Sequence, residues 1–201
     1  MKKLQVIQST MMPLPMSNID TDQIMPKEFL KRVERSGYGE YLFYDWKKDA
    51  GGNLDPTFPL NSETYKNAKV LVTGSNFGTG SSREHAPWGL QDWGFDAIIS
   101  TNFADIFKNN CLNIGLLPIE VNADVVEKLF KLIQEDPKTT IEISVENNSF
   151  KCSQISASFV LDDFSKQKLI KGQDQIDITL EHQELISSFS TDRKKLIPNL
   201  D

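Results

Sequence analysis

Residues 74–85 read "GSNFGTGSSREH" and gather three glycines, three serines, an arginine, a glutamate and a histidine. They follow the apolar run "KVLVT" (69–73) and precede a segment of helical character. A loop of this composition has three chemical uses: cradling a phosphate, activating a serine, or gripping a carboxylate. Specific phosphate and nucleophile motifs are excluded by their own mechanics. A P-loop needs a lysine after its last glycine to reach the β- and γ-phosphates. Here Ser81 follows Gly80, and the loop holds no lysine. The dinucleotide fingerprint needs a third glycine where Arg83 stands. No serine in the stretch has the G-x-S-x-G frame of a nucleophile elbow.

What survives is the device beneath those motifs. Glycines let successive backbone N–H groups converge on one point, and a helix start adds unsatisfied N–H groups and a positive dipole end. Ser81 and Glu84 have capping-box spacing, which predicts a helix beginning near Ser81. Pro87 favours instead a start near Ala86, with proline in the first turn. Either start sets the serines and Arg83 near a helix N-terminus, where arginine clamps a carboxylate bidentately. The bland alternative is a plain capping turn, with Arg83–Glu84 a surface pair and His85 a structural hydrogen-bonder. A serine without a neighbouring base is ordinarily inert.

The surrounding elements must hold this loop in place. "KVLVT", "AIIS" (97–100) and "GLLPIEV" (115–121) read as buried strands. Between and after them, "FADIFKNN" and the amphipathic "ADVVEKLFKLIQED" (123–136) read as helices, so an α/β arrangement is predicted. Residues 4–9 form a candidate first strand, and Pro26 a helix start running to about residue 34. "TTIEISVE", "NN" and "SFKCSQI" predict a β-hairpin. "DDFSKQKLIKG" reads as a helix closed by Gly172, "QIDITL" as a strand, and the tail from Glu181 as helical. The 201 residues show no repeat and no linker, which points to one domain.

Composition narrows the function classes. A net charge of −6 argues against non-specific nucleic-acid binding, which needs a basic surface. It leaves room for an anionic small ligand held by a few local arginines. The two cysteines, Cys111 and Cys152, suit free thiols in a reducing cytosol. They cannot alone hold an iron–sulfur cluster, and with His85 and His182 they lack zinc-site spacing. The N-terminal "MKKLQVIQSTMMPLPM" has no continuous apolar stretch, and no window is apolar enough to span a membrane. A cytoplasmic protein is expected.

Three blocks together carry a specific resemblance: "NFGTGSSREHAPW" (76–88), "GFDAIISTNFADIFKNNCLNIGLLPI" (94–119) and "NIDTDQIMPKEFLKRVERSGYGEYLFYDW" (18–46). The sequence resembles the small subunits of 3-isopropylmalate dehydratases, counterparts of the swivelling C-terminal domain of aconitase. The resemblance spans nearly the whole chain and is strongest over 18–120. It implies an α/β fold in a single swivelling β/β/α domain over 1–201, with a glycine-flanked, mobile specificity loop at about 36–60.

The same resemblance implies an activity shared with a second chain. Enzymes of this kind isomerise 2-isopropylmalate to 3-isopropylmalate in leucine biosynthesis by dehydration and rehydration through isopropylmaleate. They use a [4Fe-4S] cluster whose iron acts as a Lewis acid. That cluster is expected in a separate large subunit, with no metal in this chain. Partners are then that large subunit and a hydroxy-dicarboxylate substrate, with neither nucleic acid nor membrane.

Ser81 matches the serine that acts as general base on the carbon-bound proton. Ser82 and Arg83 match positions that bind a substrate carboxylate. Asp22, in "DTD", matches an acidic active-site residue placed to orient an arginine. Arg35 lies near the region that supplies a second substrate arginine. Tyr38, Tyr41, Leu42 and Phe43 form an apolar stretch without arginine, expected to favour an alkyl substituent over a third carboxylate; the competing reading makes them core. Relatives often carry a cysteine where Thr79 stands here. Citraconate/2-methylmalate or homoaconitate hydration, and non-catalytic dicarboxylate binding, remain as alternatives.

Overall fold

Strand β1 (Val6–Leu14) does two jobs in one seven-stranded sheet of order β4-β3-β2-β1-β5-β6-β7. Its first half, Val6–Thr10, pairs antiparallel with β5 (Thr140–Ser144); its second half, Met11–Leu14, pairs parallel with β2 (Val70–Thr73). The computed structural model describes residues 1–31 and 36–196, with side chains described to residue 193. Beyond β2 lie β3 (Ala97–Ser100) and β4 (Leu117–Glu120), both parallel; beyond β5 lie β6 (Ser149–Cys152) and β7 (Ile155–Ser158), both antiparallel. The split follows from the connections. The parallel steps β2 to β3 and β3 to β4 are made through helical crossovers, whereas β5 to β6 and β6 to β7 are joined by tight turns.

Those crossovers explain why β2 and β3 are apolar at nearly every position and wholly buried. Side chains alternate between two cores. Val70, Val72, Ala97 and Ile99 face one that includes Val126, Leu129 and Ile133 of helix α4 (Ala123–Glu135). Leu71 and Ile98 face the other, beneath α2 (His85–Trp93) and α3 (Asp105–Ile114). The sheet is thus covered on both faces at its parallel end, and the α/β expectation holds.

Three local expectations are corrected. The first strand extends to Leu14 rather than stopping at Ser9, because Met11, Met12 and Leu14 are buried on alternate faces. Pro13 is tolerated since β1 has only β2 as neighbour beyond Thr10. The segment after Pro26 is a 3₁₀ turn over Lys27–Lys31, while residues 32–35 lie outside the described residues. "QIDITL" is helix α6 (Gln175–Leu180), not a strand. Asp174 caps it: the Asp177 N–H donates to Asp174 Oδ1 (2.8 Å) and the Asp174 N–H to Asp177 Oδ2 (2.9 Å). That reciprocal cap satisfies two orphan donors and overrides the alternating isoleucines. The helix over 162–172 forms as expected, as α5 (Asp163–Lys171) with Asp162 as N-cap and Gly172 left-handed after it. The tail is helix α7 (Gln183–Leu196). Among the described residues no helix is long and apolar enough to cross a membrane.

Candidate active site

Parallel β2 and β3 lie side by side, so the loops leaving their C-terminal ends are neighbours. Ligand sites of open α/β sheets form at such ends. The β2 loop (74–84) is stitched to the chain leaving β1. Gly74 N–H donates to Met16 O (2.9 Å), Asn18 N–H to Ser75 O (2.8 Å), and Gly78 N–H to Ile19 O (2.7 Å). The segment from β1 then forms the short helix α1 (Thr21–Ile24), capped reciprocally by Asp20 and Gln23. Thr21 N–H donates to Thr79 O (2.8 Å), and the Thr21 hydroxyl to Ser81 O (2.8 Å).

Gly78 and Gly80 have φ of +79° and +88°, the left-handed region that glycine enters without steric cost. Gly78 also lies flat against the Phe107 ring, where a Cβ would come within 2.2 Å of Cγ. Phe77 anchors the loop from below, packed edge-on to Phe103 and Phe107. The β3 loop supplies further ties: Phe77 N–H donates to Asn102 O (3.2 Å) and Asn76 N–H to Asn102 Oδ1 (2.9 Å).

These contacts leave Ser81 and Ser82 exposed on the rim of a cleft of ≈ 250 Å³. Gly78, Gly80, Thr21 and Arg83 line one side; Asp105, Ile106, Phe107 and Asn110 of α3 line the other. Helix α2 begins at His85, with Glu84 at the cap position and no side-chain cap. The Ser81–Glu84 capping box therefore does not form. Pro87 sits in the first turn, where its missing N–H costs nothing, and Arg83 N–H instead donates back to Ser81 O (2.7 Å) in a tight turn. Both serine hydroxyls are left without a hydrogen bond among the described residues.

Arg83 is mostly buried, its side chain 15% exposed, and pairs with Asp22 of α1. Lys27 reaches the other Asp22 oxygen at 3.3 Å. Asp22 meets Arg83 through one terminal nitrogen, and a guanidinium carries five N–H donors. The remaining donors keep capacity for a second carboxylate. His85 packs between Tyr38 and Trp88, with ring centroids at 5.3 and 4.7 Å. Burial lowers its pKa below the ordinary value, Glu84 partly opposing and Arg83 reinforcing the shift. The shift favours the neutral imidazole, and His85 packs as part of an aromatic nest.

The structure thus brings Ser81, Ser82, Arg83 and Asp22 together. Arg35 lies outside the described residues. Of the four residues expected in the specificity loop, Tyr38, Leu42 and Phe43 are wholly buried in the core under α2. The reason is the seating of their segment. A Cβ at Gly39 would fall 2.9 Å from Trp93 N, and Phe43 N–H donates to Ile24 O (2.9 Å). Tyr41 is half-buried and stacks on Phe29 at 4.2 Å. Sequence reasoning missed Asp105, Ile106 and Asn110 as cleft residues. The available signal was the position of "FADIFKNN" directly after β3, where a helix start faces the same strand ends.

The donor set of this chain does not suit an iron–sulfur cluster. Cys111 and Cys152 are buried in different cores on opposite faces of the sheet. Burial pushes both thiols up, Cys111 well above its usual range, so neither is a ready thiolate. No group of three or more metal-ligating side chains occurs among the described residues. In the native chain both thiols are expected to resist iodoacetamide at pH 7.5 and to react fully in denaturant. Rapid native alkylation, read by mass spectrometry, would contradict this placement.

Comparison with known proteins identifies the family. A model of the aconitase C-terminal domain family matches residues 1–124. The chain is 40% identical over 200 residues to the 3-isopropylmalate dehydratase small subunit of Rubrobacter xylanophilus, covering 100% of both chains. It is 42% identical to that of Salinispora arenicola, again over 200 residues and 100% of both. With that of Shouchella clausii it shares 45% over 189 residues, 94% of this chain and 95% of the other. The solved structure of 3-isopropylmalate dehydratase from Methanocaldococcus jannaschii aligns with a TM-score of 0.63 at 24% identity, covering 92% of this chain and 99% of that one, a likeness of fold. With relatives of that name matched over its full length, the chain belongs to the aconitase C-terminal domain family, among the 3-isopropylmalate dehydratase small subunits.

Proposed function

We propose that this chain is the substrate-closing half of a two-subunit hydro-lyase that interconverts 2- and 3-isopropylmalate through isopropylmaleate. The observation that carries the reading is the exposed Ser81–Ser82 rim beside an Arg83 already oriented by Asp22. Its support is the full-length match to chains named as small subunits of that dehydratase. In the dehydration direction, Ser81 Oγ takes the proton from the carbon next to the hydroxyl-bearing one. Arg83 and the Ser82 hydroxyl hold a carboxylate, fixing that carbon against Ser81. The Lewis-acid chemistry for the departing hydroxyl is assigned to a [4Fe-4S] cluster on the large subunit.

Exposure of Ser81 supports a shared site. A serine hydroxyl must lose its proton to act as a base, and the alkoxide is stabilised only by donors in a water-excluded site. Alone, this chain leaves that hydroxyl in solvent. A covering partner supplies the exclusion.

The test is reconstitution. Co-purified with its large subunit, the chain is expected to hydrate isopropylmaleate to both isopropylmalates, while each subunit alone is idle. Comparing kcat/KM for isopropylmaleate, citraconate and homoaconitate fixes the substrate. Turnover by this chain alone would overturn the two-subunit reading, and preference for another acid would overturn the substrate.

A further inference from the structure

Ser81 lies between Gly80, a left-handed glycine, and the exposed Ser82, and no side chain of residues 80–82 is buried. A base must be held to a fraction of an ångström, so something else must fix this peptide. The Ser81 carbonyl accepts two hydrogen bonds. One comes from the Arg83 N–H (2.7 Å), which belongs to the same loop and moves with it. The other comes from the Thr21 hydroxyl (2.8 Å) on α1. Among the described residues, that second bond is the one hydrogen bond from residues 80–82 to another element.

We propose that Thr21 is the positioning residue for Ser81. This rests on the function proposed above. Thr21 is 2% exposed and anchored by its own N–H to Thr79 O (2.8 Å), so its hydroxyl is held in one place. Its chain neighbours fix the rest of the loop: Asp20 bridges Thr79, and Asp22 pairs with Arg83. One turn of chain therefore sets the base and the carboxylate clamp through separate side chains. Thr21 acts on the proton transfer, and Asp22 acts on substrate holding.

Thr21→Val keeps the shape and removes the hydroxyl; Thr21→Ser keeps the hydroxyl and removes the methyl. Both are compared with wild type in the assembled two-subunit enzyme. Thr21→Val is expected to lower kcat about tenfold to a hundredfold, with KM changed by less than about threefold. Assembly and Tm should stay near wild type, and Thr21→Ser should recover most of kcat. The inference is overturned by an unchanged kcat, by a raised KM at unchanged kcat, or by a Thr21→Ser enzyme as slow as Thr21→Val. It is equally overturned if Thr21→Val fails to assemble, which would make Thr21 a structural residue. A wild-type pair without turnover removes the parent reading and this inference with it, whereas an active pair indifferent to Thr21→Val removes only the latter.

Discussion

Ser81→Ala is expected to lower kcat of the assembled enzyme by about 10²- to 10⁴-fold, the usual contribution of a general base. The variant should still fold and still bind its partner. Ser81 is exposed, and its hydroxyl makes no hydrogen bond among the described residues. Its loss should therefore change stability by no more than roughly 0.5 kcal/mol, as for surface sites without special contacts. The carbonyl that Thr21 holds is backbone and survives the substitution. Arg83 and Asp22 also survive, so KM should move little. Turnover is followed through the ultraviolet absorbance of the isopropylmaleate double bond, and assembly by size-exclusion chromatography. A near-normal kcat would remove Ser81 as the base. Loss of activity together with loss of the complex would make Ser81 an interface residue instead.

The parts of this site legible in the sequence are those written by local rules. Gly78 and Gly80 announced a loop whose backbone can turn its N–H groups inward, and both adopt left-handed φ; "KVLVT" and "AIIS" announced buried strands. The capping-box spacing of Ser81 and Glu84 was a valid local signal that lost to another, Pro87 in the first turn of α2. The Asp22–Arg83 pair is a different matter. Their proximity depends on β1 and β2 being parallel neighbours, so that the segments leaving both strands emerge at one edge. No spacing encodes that; only the family resemblance suggested it. Asp105 and Asn110 escaped for the same reason, since they reach the cleft through the adjacency of β2 and β3. Tyr38, Leu42 and Phe43 show the converse limit. Apolar composition is the same for a pocket wall and for a core, and in this chain the three side chains pack under α2.

Gly78→Ala should damage both the fold and the site, through two separable terms. The left-handed φ of +79° costs a side-chain-bearing residue roughly 1–2 kcal/mol. The new Cβ would also sit 2.2 Å from Phe107 Cγ and 2.6 Å from both Cδ atoms, and overpacking of this kind costs roughly 1–3 kcal/mol. The sum, roughly 2–5 kcal/mol, is a large part of a typical domain stability of about 5–15 kcal/mol. Tm should fall by roughly 4–20 °C for a chain of this size. Activity should fall further than stability alone predicts. The Gly78 N–H to Ile19 O bond (2.7 Å) stitches the serine loop to the segment carrying Thr21 and Asp22, and a shifted loop moves Ser81 away from both. The ring clash can be tested apart from the backbone strain with Phe107→Leu. That change alone is destabilising, because Phe107 packs on Phe77 at 5.3 Å and on Phe103 at 6.2 Å. Combined with Gly78→Ala, it makes room for the new methyl, so the double variant should be more stable than the sum of the single losses by about 1–2 kcal/mol. The φ strain remains, and wild-type stability is not regained. Additivity within roughly 0.5 kcal/mol in thermal denaturation would show that the Phe107 ring is not what requires glycine at position 78.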